Sequence, residues 1–539
     1  IYDRFQVSTA SHKGTLGLFP RSKKAKQRFV VGDDSGTVQC FEMKRGEAQT
    51  SFSYRFDHGG GVDGTGMVTA VVMGGSTGGS GGGDRVFATQ GSSIVGLSRK
   101  GKEFFKMTSP LSETIHHMAV TGGRIWTGCD FICSAYDDGR DASFYMCHDR
   151  IGSLTMANFT NGTTLDAVLG CQDHCVRVMS GAGAQAGAEV AFSASVDAPV
   201  GALCAFSGSG NGADKDNRGV VYGTDRGTLG HLALAPDRAN FLKKTWELPA
   251  GGGSDAARGG GGGGGGRGRG VTSLKACDLT QDGVQELVAG REDGTITIYR
   301  FSGDDNLDSG GRGLQEAFSV GLGESVRSME GGRVSTDTHP EVVVCTFRGR
   351  VCSLTTQALG QGEVGDGFGR TIGEINEESQ VKQLKKEVAD LEKRVAHEKK
   401  KLAALNRGSG NGAAPSAYMP ATQHFNAITS CTLDREQGAY VISVETPVPL
   451  DLVLLYSHLH MDLLDSNDEN EKGQAISNVT PLSPEHGGGV CATYRCDDGT
   501  TKLKIKARTT EGDYGDIRLT VVAKTPPKKS AQVCARFRV

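Results

Sequence analysis

The sequence predicts a mainly β protein made of a seven-bladed β-propeller, a short coiled-coil helix and an immunoglobulin-like β-sandwich, in that order. Three observations carry this. Seven times in the first 360 or so residues, a short hydrophobic run enters a tight turn and leaves in a second, alternating run. Between Val381 and Leu405 the apolar spacing becomes that of a helix, and after Pro420 short alternating runs return.

The clearest turn copies are Val30-Val31-Gly32-Asp33-Asp34-Ser35-Gly36-Thr37-Val38, Val221-Tyr222-Gly223-Thr224-Asp225-Arg226-Gly227-Thr228-Leu229 and Val288-Ala289-Gly290-Arg291-Glu292-Asp293-Gly294-Thr295-Ile296. The β-branched runs suit pleated strands, and a Ser-Gly, Arg-Gly or Asp-Gly pair supplies the positive φ that a tight reversal needs. Weaker copies begin at Val86, Ile125, Val168 and Val343. A spacing of about 40–65 residues suits a blade repeat, because a four-stranded sheet takes about 40 residues and cannot bury its faces without neighbours. The propeller is expected over residues 1–360, and 361–373 read as a Gly-rich linker.

The chain of 539 residues exceeds the size at which a single core keeps growing, so two or three domains are expected. A net charge of −3 offers no general attraction to nucleic acid or acidic lipid. No run of 18 or more apolar residues is present to span a bilayer, and the chain opens without the basic and apolar regions of a signal peptide. It lacks an initiating Met and stops inside the strand-like Val533–Val539, so it is expected to be part of a longer polypeptide. Fourteen cysteines include no Cys-x-x-Cys, and most sit among strand residues as small hydrophobes; reduced thiols are expected. Of the 80 glycines, many fall in Gly74–Gly83 and Arg258–Gly270, which read as flexible loop insertions.

In the helix, Val381, Leu384, Val388, Leu391, Val395, Leu402 and Leu405 follow a 3-4 alternation broken only at Glu398, which places all seven on one seam. Valine dominates one core position and leucine the other, the preference of a parallel two-stranded coil. In a homodimer Glu387 would face Glu392 and Arg394 would face Lys399, and both pairs repel. Residues 374–407 are therefore expected to pair with a different helix, basic opposite the glutamates and acidic opposite Arg394 and Lys399. After a linker at 408–419, about seven alternating runs fill the sandwich, 420–539: Ile428–Leu433, Tyr440–Val444, Leu450–Leu455, Val490–Arg495, Leu503–Ala507, Ile517–Val522 and Val533–Phe537.

Candidate chemistry is thin. Gly96-Leu97-Ser98-Arg99-Lys100-Gly101-Lys102 resembles a phosphate-binding loop, but Glu103 stands where the magnesium-binding hydroxyl belongs. His116-His117 and His458-x-His460 lack convergent ligands at metal spacing. Asp278-x-x-x-Asp282-Gly283 resembles a calcium loop of integrin-type propellers, with a turn capped by Asp as the simpler reading. No nucleophile with a base, carboxylate pair or phosphate cradle stands out, so neither catalysis nor a cofactor is expected.

The order of modules and the residues Gly32-Asp33-x-x-Gly36-x-Val38-x-Cys40-Phe41, Glu324-Ser325-Val326, Ala492-Thr493-Tyr494-Arg495-Cys496 and Arg508-x-x-Glu511-Gly512-x-Tyr514-Gly515 resemble the family of the seventh Bardet–Biedl syndrome protein, a BBSome subunit. The glycine insertions depart from it. The resemblance implies an adaptin-ear-like sandwich and a non-catalytic subunit of a coat-like complex that carries membrane-protein cargo to and from cilia. It also implies hetero-oligomers with other Bardet–Biedl proteins, above all a coiled-coil pairing with the second one, and recruitment by an Arf-like small GTPase. The location implied is cytoplasm, ciliary basal body, cilium and, peripherally, ciliary membrane. A propeller-and-ear subunit of a non-ciliary vesicle coat or tether is the alternative.

Overall fold

The computed structural model describes residues 2–6, 11–356 and 425–537, apart from interstrand stretches such as 57–65, 75–84, 181–188, 208–217, 250–269, 302–313, 465–473 and 482–488; between 356 and 425 it describes only Lys393. Seven four-stranded antiparallel sheets form the first module. They cover residues 16–55, 68–108, 117–146, 151–195, 200–248, 271–321 and 326–355, and we number these blades 1 to 7. The strand Tyr2–Gln6 pairs with Arg350–Thr355, so the N-terminal segment supplies the outer strand of blade 7 and ties the ring shut.

Each expected hairpin joins the second and third strands of one blade. Phe29–Gly32 pairs with Thr37–Lys44, Arg218–Thr224 with Leu229–Leu234, and Glu286–Arg291 with Thr295–Phe301. Gly36, Gly227 and Gly294 take φ of 77°, 90° and 88°, as the turn demands. In blade 4 the corresponding turn has no glycine, and His174 adopts φ 65° in its place.

Seven apolar clusters make the propeller core, and every one mixes residues of two adjacent blades, the last joining blade 7 to blade 1. A recurring glycine sets the blade spacing. Cβ atoms added to Gly32, Gly223 and Gly290 would stand 2.5 Å from the Cγ1 atoms of Val68, Val271 and Val326, each the first residue of the next blade. Gly170 faces Val200 in the same way. The motif glycine thus leaves room for a β-branched residue of the following inner strand.

The second module is a sandwich of two sheets. One orders Ile428–Asp434, Ala439–Glu445, Lys502–Thr509 and Met461–Leu464; the other orders Gln474–Pro481, Val490–Cys496, Leu450–Ser457, Gly515–Ala523 and Ser530–Phe537. Alternation fills a single core between them, with Leu503, Ile505, Ile517, Leu519 and Val521 all facing inward. Nine strands form where seven runs were expected. Met461–Leu464 is only four residues long, and Gln474–Pro481 sets Ala475 beside Ile476 and is bulged between Ile476 and Asn478, so neither carries the period-2 apolar signal.

Candidate functional site

The coiled-coil residues Val381, Leu384, Val388, Leu391, Val395, Leu402 and Leu405, with Glu387, Glu392, Arg394 and Lys399, lie outside the described residues; Lys393 among them is helical and exposed. The insertions at 75–83 and 258–269 also lie outside. At the calcium-like loop, both carboxylate oxygens of Asp278 accept backbone N–H bonds, from Gln281 at 2.6 Å and Gly283 at 3.0 Å. Asp282 accepts from the Val284 N–H at 2.8 Å. These carboxylates cap a turn that carries positive φ at Gln281 and Gly283.

A site that sequence reasoning missed lies where the sandwich meets the propeller. Its geometry begins with the inner strands, one per blade. In blades 2, 4, 5, 6 and 7 the register slips after the first residue of that strand, which leaves Thr69, Gly152, Gly201, Thr272 and Arg327 outside the ladder. Four of the five are small; the fifth is an arginine. His116 immediately precedes the inner strand of blade 3, with its ring 6.1 Å from that of His12 and its Nε2 3.5 Å from Asp130. Burial, helped by the neighbouring His116, Arg327 and His117, lowers His12 to about 3. His117 is likewise lowered to about 3 by burial and by His116 and Lys13. His12 lies within electrostatic reach of both His116 and Arg327, so the inner-strand starts of blades 3 and 7 meet around it.

The sandwich brings the complementary charges. In Lys502–Thr509, Leu503, Ile505 and Ala507 enter the core, so Lys502, Lys504 and Lys506 stand on the other face as a comb. Lys502 Nζ lies 2.6 Å from Glu292 Oε1 in the blade 6 turn, and Lys504 Nζ lies 3.7 Å from Glu292 Oε2. Burial opposes ionisation of Glu292, yet the two ammonium groups outweigh it and hold the carboxyl at about 2. Lys502 is itself shifted down by burial, with Lys504 adding to the shift and Glu292 opposing it. The two shifts have different causes: the flanking ammonium groups lower Glu292, and burial lowers Lys502.

On the neighbouring strand Ala439–Glu445, Ile442 and Val444 face the core, so Ser443 and Glu445 face away from it; both are nevertheless buried, at 7% and 9% exposure. The propeller covers them. Arg327 Nη2 donates to Glu445 Oε2 at 2.7 Å, Ser325 Oγ donates to the same oxygen at 3.2 Å, and the Arg327 guanidinium lies 4.8 Å from the Phe347 ring centre. Asp225 of blade 5 feels Lys13, Glu292 and Lys504, but burial dominates and raises its carboxyl to about 6. Further round the ring, Cys431 of the sandwich is raised to about 12 by burial and sits within electrostatic reach of Arg150 and Asp149. The footprint therefore runs over blades 4 to 7. The lysine alternation is visible in the sequence; nothing local marks Glu292 as its counterpart, or Arg327 as that of Glu445.

Thirteen cysteines are described, and all are free thiols. Among the described residues no group of three or more His, Cys, Asp or Glu is placed to hold a metal ion, and no helix is long and apolar enough to cross a membrane.

A closed seven-bladed ring with an ear-like sandwich packed against its blades defines a propeller-and-ear protein. Within that class the chain belongs to the BBS7 family, since residues 16–356 match the BBS7 beta-propeller and residues 424–535 match the BBS7 GAE domain. It is 28% identical to the BBSome complex member BBS7 of Mus musculus over 531 residues, 98% of this chain and 66% of that protein. It is 24% identical to the BBSome complex member bbs-7 of Caenorhabditis elegans over 540 aligned residues, 99% of this chain and 67% of that protein. The chain thus spans about two thirds of the length of the curated relatives it matches. A crystal structure of BBS1N in complex with ARL6DN aligns over 65% of this chain and 95% of that one, at 10% identity and a TM-score of 0.46, a likeness too slight to carry an argument.

Proposed function

We propose that this chain is a non-catalytic scaffold subunit of the BBSome and supports the trafficking of membrane-protein cargo to and from cilia. The observation that supports this is family membership across both modules, together with relatives whose names place them in that complex. The second Bardet–Biedl protein is the partner the seam of residues 374–407 fits, because self-pairing would set Glu387 against Glu392 and Arg394 against Lys399. Burying seven Val and Leu side chains contributes roughly 10–20 kcal/mol, and ordering about 25 residues costs at least as much, so the helix is completed by its partner. An Arf-like small GTPase recruits the chain through the assembled complex, peripherally, to the ciliary membrane.

Affinity purification of the full chain from ciliated cells tests the reading. Recovery of a stable set of propeller-bearing Bardet–Biedl proteins is expected, and recovery of clathrin or Golgi coat subunits instead would overturn it. For the seam, a synthetic 374–407 peptide is expected to be largely unfolded by circular dichroism; a stable, concentration-dependent homodimer would reject the heteromeric pairing.

A further inference from the structure

The contacts between the two modules differ in kind from those within them. Among the described residues no apolar cluster contains residues of both: the sandwich core draws only on residues 425–531, and the seven propeller clusters only on residues 16–354. What joins the modules is charge, with Glu445 on Arg327 and Ser325 and the lysine comb on Glu292. The Arg327–Glu445 pair is buried on both sides, with side chains 9% and 11% exposed. Arg327 Nε is also buried without a partner, so Glu445 carries most of the compensation for that guanidinium.

We propose that the ear is a charge-held latch which covers the face of its own propeller over blades 5 to 7, so that this face is occupied in cis and opens to a partner only when the ear is displaced. The chemistry sets what can displace it. A competing surface must put a carboxylate over Arg327 and a cation over Glu292, as Glu445 and Lys502 do. A hydrophobic surface finds nothing here to replace. Because the joint has no shared apolar core, separating the modules leaves each core intact, which is what a releasable contact requires. The inference rests on these contacts alone and stands or falls independently of BBSome membership.

Zero-length carbodiimide crosslinking of the full chain, read by mass spectrometry, tests it, since Lys502 and Glu292 are close enough to be joined as an amide. The Glu292–Lys502 crosslink is expected at low salt and is expected to fall severalfold at 1 M salt, where the screening length is about 3 Å. Glu445→Arg is expected to cut the yield about tenfold or more, because it faces Arg327 with a like charge and breaks a desolvated pair. The double variant Arg327→Glu/Glu445→Arg is expected to return it to within about twofold of the unaltered chain. Equal yields in the unaltered chain and the folded single variant, or no recovery in a folded double variant, would overturn the latch. Should the variants fail to fold, the salt titration decides: a crosslink indifferent to salt would overturn it.

Discussion

The propeller and the ear are built from the same antiparallel strands but bury them differently. In the propeller the second strand of a blade is covered on both faces: Phe29–Gly32, Asp166–Cys171 and Glu341–Thr346 are buried at every residue. In the ear, Gly515–Ala523 alternates, with Ile517, Leu519, Val521 and Ala523 in the core and their neighbours outside it. The propeller core is thus divided among the seven blade junctions of a closed ring, whereas the ear has one core between two sheets. Damage should spread differently. An ear lesion acts on the whole ear, and a blade lesion acts first on two blades.

Matched truncations test this most strongly. Leu455→Ala in the ear and Leu169→Ala between blades 3 and 4 remove the same atoms from fully buried sites. Each should cost about 2–5 kcal/mol. Hydrogen exchange should then show the loss across every ear strand for Leu455→Ala, and confined to blades 3 and 4 for Leu169→Ala. If Leu455→Ala weakened the propeller amides as much as those of the ear, the two cores would not be separate units.

A smaller contrast separates close approach from backbone strain. Gly290→Val should cost about 1–3 kcal/mol, because the new side chain meets Val326 and Met329 of blade 7. Gly499→Ala, in an ear turn at φ 85° with open space around it, should cost only about 1 kcal/mol, from the left-handed backbone alone. Urea unfolding curves would rank them, and a Gly499 variant as destabilised as Gly290→Val would show that blade spacing is not what the motif glycine protects.

This difference also explains what could be read from the sequence. Val30-Val31-Gly32 and Val288-Ala289-Gly290 are short continuous apolar runs because both faces are covered, and their turns carry the glycines that positive φ requires, so the blades were legible one by one. The ear shows as alternation, except where Met461–Leu464 is too short and Gln474–Pro481 too irregularly spaced to show a period. The junction was half legible. Lys502-Leu503-Lys504-Ile505-Lys506 announces a charged outer face, but the counterpart of Lys502 is a turn residue, Glu292, 210 positions earlier, and that of Glu445 is a bulge residue, Arg327, 118 positions earlier, each unremarkable among its sequence neighbours. Pairings of that separation are set by how blades and ear come together, and no local period records them.

The finest contrast is with pH, and it sits at His12, His117 and Asp225. Burial holds His12 and His117 at about 3, below their ordinary 6.5. The unfolded chain therefore takes up their protons first, and each histidine withdraws stability as pH falls from about 6.5 towards 3, by at most about 1.4 kcal/mol per pH unit. Asp225, raised to about 6, works the other way: the folded chain holds its proton, so stability is gained as pH falls from about 6 to 3.8. Two groups against one leaves a net acid loss in the propeller. His12→Gln with His117→Gln should remove it and leave Asp225 to tilt the dependence in the opposite direction. Denaturant midpoints between pH 7 and 4.5, followed through propeller amides, would show the reversal; parallel profiles for the double variant and the unaltered chain would mean that the histidines sit in water freely enough to titrate as they do in the unfolded chain.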